Sequence, residues 1–225
     1  MSEILDQSKA DFWREVRPES FITINDTEAL MASLGQGVGL RGQECVVRSV
    51  YEIRQMDGLC EWLFFKLDND GTEVYLLVTI VPDAEPDFTI FYEAGGFDSG
   101  NRQDILDAEQ EYIFEEPEDT DDFEIGSLEY ANEFFYDQVP EDGPAVECQF
   151  IRKSFSPLQA WASRNPPQGD RLLTTVVQYD TEAEGAHSPE ALILEMGNPD
   201  NDDGGLIQLF FGTSIGSHEM MVIKR

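Results

Sequence analysis

Basic residues are scarce in this chain: four lysines and ten arginines stand against 46 acids in 225 residues, a formal charge of −32. That scarcity excludes a nucleic-acid backbone or an anionic lipid surface as an ordinary partner, because both need Lys and Arg to displace counterions from phosphate. Cysteine is sparse too. Cys45, Cys60 and Cys148 are odd in number and widely spaced, which argues against a disulfide framework and fits buried reduced thiols. The two histidines, His187 and His218, stand apart with no Cys-x-x-Cys, so no zinc ligand set is present. Long apolar runs are missing; the longest, residues 74–81, is strand-sized and interrupted by Thr79, well short of the ~20 residues of a membrane helix. The first residues carry no basic stretch followed by an apolar one, so the expectation is no secretory signal and a cytoplasmic location.

Aromatic side chains, by contrast, are plentiful. They make up 11% of the chain, including 15 Phe, and cluster in runs such as Trp62-Leu63-Phe64-Phe65 that only a folded core would use. The charge is unevenly spread. Residues 98–142 hold 17 acids and one base, Arg102, a local charge of −16, and the rest of the chain carries another −16.

The residue pattern predicts helix, turn, helix over residues 1–35. Ile4, Leu5, Phe12, Trp13 and Val16 share a 3.6-residue face closed by Pro18, and a second helix over 28–34 opens at Asn25 and Asp26 and stops at Gly35. Val-rich and aromatic stretches at 44–53, 61–67, 74–81 and 88–93 then read as a four-stranded meander, with Asp68-Asn69-Asp70-Gly71 as a turn. In the acidic segment, Ile105, Leu106, Tyr112 and Ile113 fit a helical face started by Asn101 and Asp104. A second apolar cluster runs from Leu128 to Tyr136, and the acids between the two clusters read as an exposed loop. Strands return at 147–155, 172–179, 191–196, 206–215 and 219–223, with a short helix expected over 157–163. Glu44-Cys45 and Glu147-Cys148 open comparable strands in the two halves, which fits either a repeat or two β segments sharing strand grammar.

These elements predict a mainly β fold at the α+β margin: two antiparallel β-meander sheets or small open barrels, with an N-terminal helical hairpin and an acidic helical insertion. As one folded unit it divides into a helical cover (1–35), a first β lobe (36–97), the insertion (98–143) and a second β lobe (144–225). The order Gly39-Leu40-Arg41-Gly42-Gln43-Glu44-Cys45-Val46-Val47, then Glu61-Trp62-Leu63-Phe64-Phe65, then Gly205-Leu206-Ile207-Gln208-Leu209-Phe210-Phe211-Gly212, resembles a bacterial family of β-rich domains of unknown function. Cys45 stands where that family has an aromatic residue, and only Trp62 of its tryptophan pair is present. The resemblance implies a β-rich fold and no activity.

Candidate chemistry is thin. Asp200, Asp202 and Asp203 place hard oxygen ligands in one loop, a weak Ca²⁺ or Mg²⁺ candidate, although Asp, Asn and Gly are also what a hairpin turn uses without metal; no other cofactor is expected. Gly35-Gln36-Gly37-Val38-Gly39 lacks the Lys and Thr of a phosphate loop. No catalytic residue is assigned: in so acidic a chain carboxylate pairs carry no information, and Ser214 falls inside a strand rather than at a nucleophile elbow. The expectation therefore leans away from an enzyme. It favours a binding or adaptor protein that meets a basic protein surface or polycation through Glu115, Glu116, Glu118, Asp119, Asp121 and Asp122 and the aromatic run Phe134, Phe135 and Tyr136. Two alternatives share the charge: a DNA mimic that occupies a nucleic-acid-binding protein, and a salt-adapted protein whose acidity is environmental and which could hide an enzyme.

Overall fold

The computed structural model describes residues 8–25, 44–116, 128–138, 146–166, 171–181, 189–197 and 205–224. Helix α1 (Ala10–Arg14) and strand β1 (Phe21–Ile24) precede an antiparallel meander of β2 (Glu44–Gln55), β3 (Glu61–Asn69), β4 (Thr72–Ile80) and β5 (Asp87–Glu93). Helix α2 (Arg102–Asp107), a 3-10 turn at Glu111–Ile113 and strands β6 (Phe114–Glu115), β7 (Glu129–Tyr130), β8 (Glu133–Gln138) and β9 (Val146–Arg152) follow. A second meander, β10 (Leu158–Arg164), β11 (Arg171–Asp180), β12 (Pro189–Met196) and β13 (Leu206–Ile215), leads through a 3-10 turn to β14 (Met220–Ile223).

Both ends of one meander pair with the other. Strand β13 pairs with β5, and β10 pairs with β2, both antiparallel, so the ring β2-β3-β4-β5-β13-β12-β11-β10 is a closed eight-stranded barrel. Strands β1 and β14 extend the sheet beyond β2, and β9 and β8 extend it beyond β11. The expected pair of separate sheets or open barrels is therefore corrected to one closed sheet. The two strand runs have no other way to pair their outer edges with each other, and closure removes those edges.

Alternation along the strands sorts the apolar residues into three layers. The barrel lumen takes Ile53, Trp62, Phe64, Tyr75, Leu77, Phe91, Ala160, Ala162, Val176, Leu192, Leu194 and Phe210, from all eight strands. Phe64 stacks on Tyr75 at 5.2 Å, and Phe210 from the second meander meets both edge-on at 5.2 and 5.0 Å. Outside the first meander, Leu63, Phe65, Leu76, Val78 and Ile90 are covered by Phe12, Trp13 and Val16 of the N-terminal segment. Outside the second, Val177, Tyr179, Ile193, Leu209 and Phe211 are covered by the acidic insertion through Ile105, Ile113, Phe114, Leu128, Tyr130 and Phe134. Each such side chain contributes about 1.5–3 kcal/mol on burial.

Two glycines set local geometry. Asp70 (φ 49°) and Gly71 (φ 90°) join β3 to β4 in a two-residue hairpin that needs left-handed backbone at both positions. Gly212 lets β13 approach β5, since a Cβ there would lie 2.0 Å from the Ile90 carbonyl oxygen and 2.6 Å from the Phe91 ring.

Several local expectations are corrected. Residues 21–24, expected to lie between two helices, form β1, paired with both β2 and β14; the expected helix over 28–34 lies outside the described residues. In the insertion, α2 forms where Asn101 and Asp104 signalled it, and the two residues make a reciprocal capping box. The helix ends at once, because Glu109 turns left-handed (φ 57°), so Tyr112 and Ile113 sit in a separate 3-10 turn. Residues 133–138, in the second apolar cluster of an insertion expected to be helical, form strand β8. Residues 157–163, expected to be helical, contribute to β10, where Ala160 and Ala162 face the lumen and Gln159, Trp161 and Ser163 face out, a period of two.

The two halves follow the same path. Strand β1 pairs with the start of β2 at Cys45, and β8 pairs with β9 at Cys148, so the two Glu-Cys pairs occupy corresponding places. Strand β2 runs on continuously through a bulge between Val47 and Ser49, whereas the second half breaks into β9 and β10 at residues 153–157. Burial pushes the Cys45 and Cys60 thiols up to about 11, so both stay protonated and unreactive near neutral pH.

Candidate functional site

Three places bear on binding: the anchor of the acidic insertion, the ribbon formed by β8 and β9, and one mouth of the barrel. The anchor is Arg102, the one base of the acidic stretch. From the first turn of α2 it reaches β12, where Nε and Nη2 donate to the Glu195 carboxylate at 3.3 Å each, and Nη1 donates to the Leu128 carbonyl. Its guanidinium lies 5.4 Å from the ring centroids of both Phe114 and Tyr130, and the Tyr130 hydroxyl donates to Glu195 at 2.8 Å. Burial, with Glu195 adding to it, pushes the Tyr130 hydroxyl far above its ordinary pKa and keeps it a donor.

The ribbon holds the residues expected to dock a partner, and alternation divides them. Phe134 is buried, stacked on Phe150 at 5.2 Å and edge-on to Tyr179 at 4.9 Å. Tyr136 packs on Phe211 at 4.4 Å, and its hydroxyl donates to the Gly95 carbonyl at 3.0 Å. Both rings pack in the cover of the second meander, Phe134 buried and Tyr136 partly so. Only Phe135, 51% exposed, points outward. Glu115 is also committed elsewhere: its carboxylate accepts from the Asn132 backbone and side-chain amides at 3.0 and 2.7 Å. Glu116 is exposed, while Glu118, Asp119, Asp121 and Asp122 lie outside the described residues.

The outward face of the ribbon adds residues that a linear reading does not bring together. Asp137 on β8 sits directly opposite Glu147 on β9; both are exposed, and no cation faces either among the described residues. Phe135 pairs across the ribbon with Gln149, and Glu133, on the same face, accepts from the Gln149 amide at 2.8 Å. Like charges directly opposite on a sheet destabilise it. Elsewhere bases are matched: Arg14, Arg48, Lys66, Arg102, Lys153 and Lys224 each face a carboxylate.

The mouth was not expected from the sequence. Where β4 turns into β5, the lumen opens into a cavity of about 550 Å³. Thr79, Asp87, Thr89, Gln178, Glu190 and Ser214 line it, each in register with lumen residues of its own strand. The signal was present as polar residues continuing the inward positions of strands that are otherwise apolar on that face. Reading it requires knowing that the strands close into a ring.

The metal candidates Asp200, Asp202 and Asp203 lie outside the described residues, and among the described ones no group of three or more His, Cys, Asp or Glu could hold a metal ion. The Asp68 turn uses its acid structurally. One oxygen accepts from the Gly71 amide at 2.7 Å and the other from Arg48 at 2.6 Å, which together hold this carboxyl below the usual range. No helix among the described residues is long and apolar enough to cross a membrane. No family model, curated protein or solved structure matches the chain.

Proposed function

We propose that this is a non-enzymatic binding protein that engages a basic protein surface through the outward face of the β8–β9 ribbon. The observation that carries this is the Asp137–Glu147 pair beside Phe135: two opposed carboxylates with no cation against them among the described residues, next to an exposed aromatic ring. A folded protein gains no stability from such a pair, whereas a partner bringing Lys or Arg to it relieves the repulsion, and Phe135 supplies an apolar anchor within an acidic rim. β8 ends the sheet with no strand on its far side among the described residues, so an extended segment could also add to it through backbone hydrogen bonds.

A labelled peptide alternating Arg and Leu, titrated at low salt, is the test. Replacing Asp137 by Asn together with Glu147 by Gln should weaken binding at least tenfold, about 1.4 kcal/mol. It should leave fold stability unchanged or raise it by about 0.5 kcal/mol. Neutralising the exposed Glu44 and Asp98 instead should have a much smaller effect. Equal weakening by both pairs would reduce the attraction to net charge and contradict the reading. A salt-adapted fold without a partner would show no saturable binding and would gain stability in molar KCl.

A further inference from the structure

A fourth surface bears on binding, and its charge is of the opposite sign. Residues 148–179 hold four bases, Arg152, Lys153, Arg164 and Arg171, and one acid, Asp170, a net charge of +3 in a chain of −32. Strand β10 and most of β11 lie in this stretch, and β10 forms the seam with β2. Neither cover reaches the outer face here: Trp161 is 42% exposed and Leu173 45%. The register sets these two directly opposite each other, with Arg54 of β2 on the other side of Trp161. One two-residue step from Leu173 on the same face, Arg171 lies opposite Ser163, and Arg164 ends β10 beside it.

The bases differ in what they already hold. Arg152 donates to carbonyl and amide oxygens, Lys153 faces Glu190, and Arg54 pairs with Glu52 on its own strand. Arg164 and Arg171 are exposed and have no ion pair among the described residues; the Arg164 guanidinium lies 5.8 Å from the centroid of the Tyr51 ring. An exposed tryptophan and leucine beside such guanidinium groups fit an acidic surface that brings an apolar anchor. The β8–β9 ribbon is a surface of that kind, and its spacing matches. Phe135 stands one two-residue step, about 7 Å along the strand, from the Asp137–Glu147 pair, as Leu173 and Trp161 stand from Arg171. A ribbon laid on this face with its ring on Trp161 and Leu173 therefore brings its two carboxylates to Arg171 and Arg164. Phe135 and Trp161 are both exposed, so the two surfaces do not meet within one chain.

We propose that the ribbon's partner is a second copy of this chain, the ribbon of one molecule docking on the β10–β11 face of the next; this rests on the ribbon reading and names the basic surface it engages. The two patches differ, so the contact is heterologous and leaves each dimer with one free ribbon and one free face. Net charge opposes the contact, but that repulsion is diffuse and largely screened beyond the ~8 Å Debye length at about 0.15 M salt, whereas charges in contact are screened much less.

The test is sedimentation equilibrium of the full chain at about 0.15 M salt, at chain concentrations up to roughly 1 mM. Concentration-dependent association is expected, and it should weaken at low salt. The ribbon variant, Asp137→Asn with Glu147→Gln, and a face variant, Trp161→Ser with Arg171→Glu, should each weaken self-association at least tenfold. Mixed in equal amounts, the two should form a dimer as tightly as the unaltered protein and nothing larger, because one brings an intact face and the other an intact ribbon. A monomeric unaltered protein would overturn the proposal, as would a face variant that associates normally or a mixture that stays monomeric. Association that only strengthens into molar salt would be apolar sticking and would also overturn it. Thermal unfolding of each variant checks that it is folded; if the double face variant is not, Arg171→Glu alone should still weaken association severalfold. The Arg–Leu peptide keeps this outcome separate from that of the ribbon reading, since a protein that binds the peptide and stays monomeric overturns self-association alone.

Discussion

Replacing Arg102 by methionine is expected to cost about 3 kcal/mol of stability and to loosen the acidic insertion from the barrel. The guanidinium is 24% exposed and Glu195 14%, so neither has full access to water once the other is gone. Removing the cation leaves Glu195, among the described residues, with the Tyr130 hydroxyl alone, and breaking a buried pair from one side typically costs 3–5 kcal/mol, with the lower end suited to a pair that keeps some solvent. It also removes the donor to the Leu128 carbonyl and a cation held between two rings. The double variant, with Glu195 also replaced by methionine, should recover part of this, because no charge is then stranded. A double-mutant cycle from denaturant unfolding should give a coupling of about 1–3 kcal/mol. Limited proteolysis should cut the single variant in the insertion well before the unaltered protein. A loss below about 0.5 kcal/mol for Arg102→Met would make the contact an ordinary surface pair and the insertion independent of it.

The second large effect lies in the lumen. Phe210→Ala should cost about 3–5 kcal/mol, the range for deleting a buried aromatic ring whose surroundings cannot collapse. The site is rigid for a specific reason: Phe210 comes from the second meander and inserts against the Phe64–Tyr75 stack of the first, so the ring it leaves vacant is walled by strands of both halves. At roughly 2–4 °C per kcal/mol for a chain of this size, a fall in Tm on the order of 10 °C is expected. Leu173→Ala on the outer face, where the side chain is 45% exposed, should shift Tm by a few degrees at most. Similar effects for the two substitutions would mean that the lumen is not the packed centre of the fold.

How much of this was legible in the sequence depended on the range of the interaction. The Asn101–Asp104 capping box and the Asp70-Gly71 hairpin are local, and each was readable from a few residues. The strands of the first meander were readable because dense aromatic and β-branched residues have few other uses. Closure of the barrel was not, because the partners of β2 and β5 lie more than a hundred residues away on β10 and β13, and no local pattern encodes which edges meet. The aromatic run at 134–136 misled for a related reason. Three adjacent rings look like one patch, but a strand sends Phe134 and Tyr136 to the core and only Phe135 to solvent. The acidic pair at Asp137 and Glu147 becomes a feature only through strand register, which joins residues that stand ten apart in the chain.

Everything proposed for binding depends on the two meanders closing into one barrel, since the face around Trp161 spans both and the ribbon hangs from β11. The most direct measurement is a crosslink across the β2–β10 seam, where Glu52 and Ser163 are paired on the outer face. With the three native cysteines replaced, Glu52→Cys and Ser163→Cys should form an intramolecular disulfide under mild oxidation, because paired antiparallel residues lie within disulfide range. Closing a loop on the order of 100 residues should raise stability by up to about 4–5 kcal/mol relative to the reduced form. A monomer that stays reduced under those conditions, or crosslinks only between molecules, would show that the seam is not formed and would contradict the barrel.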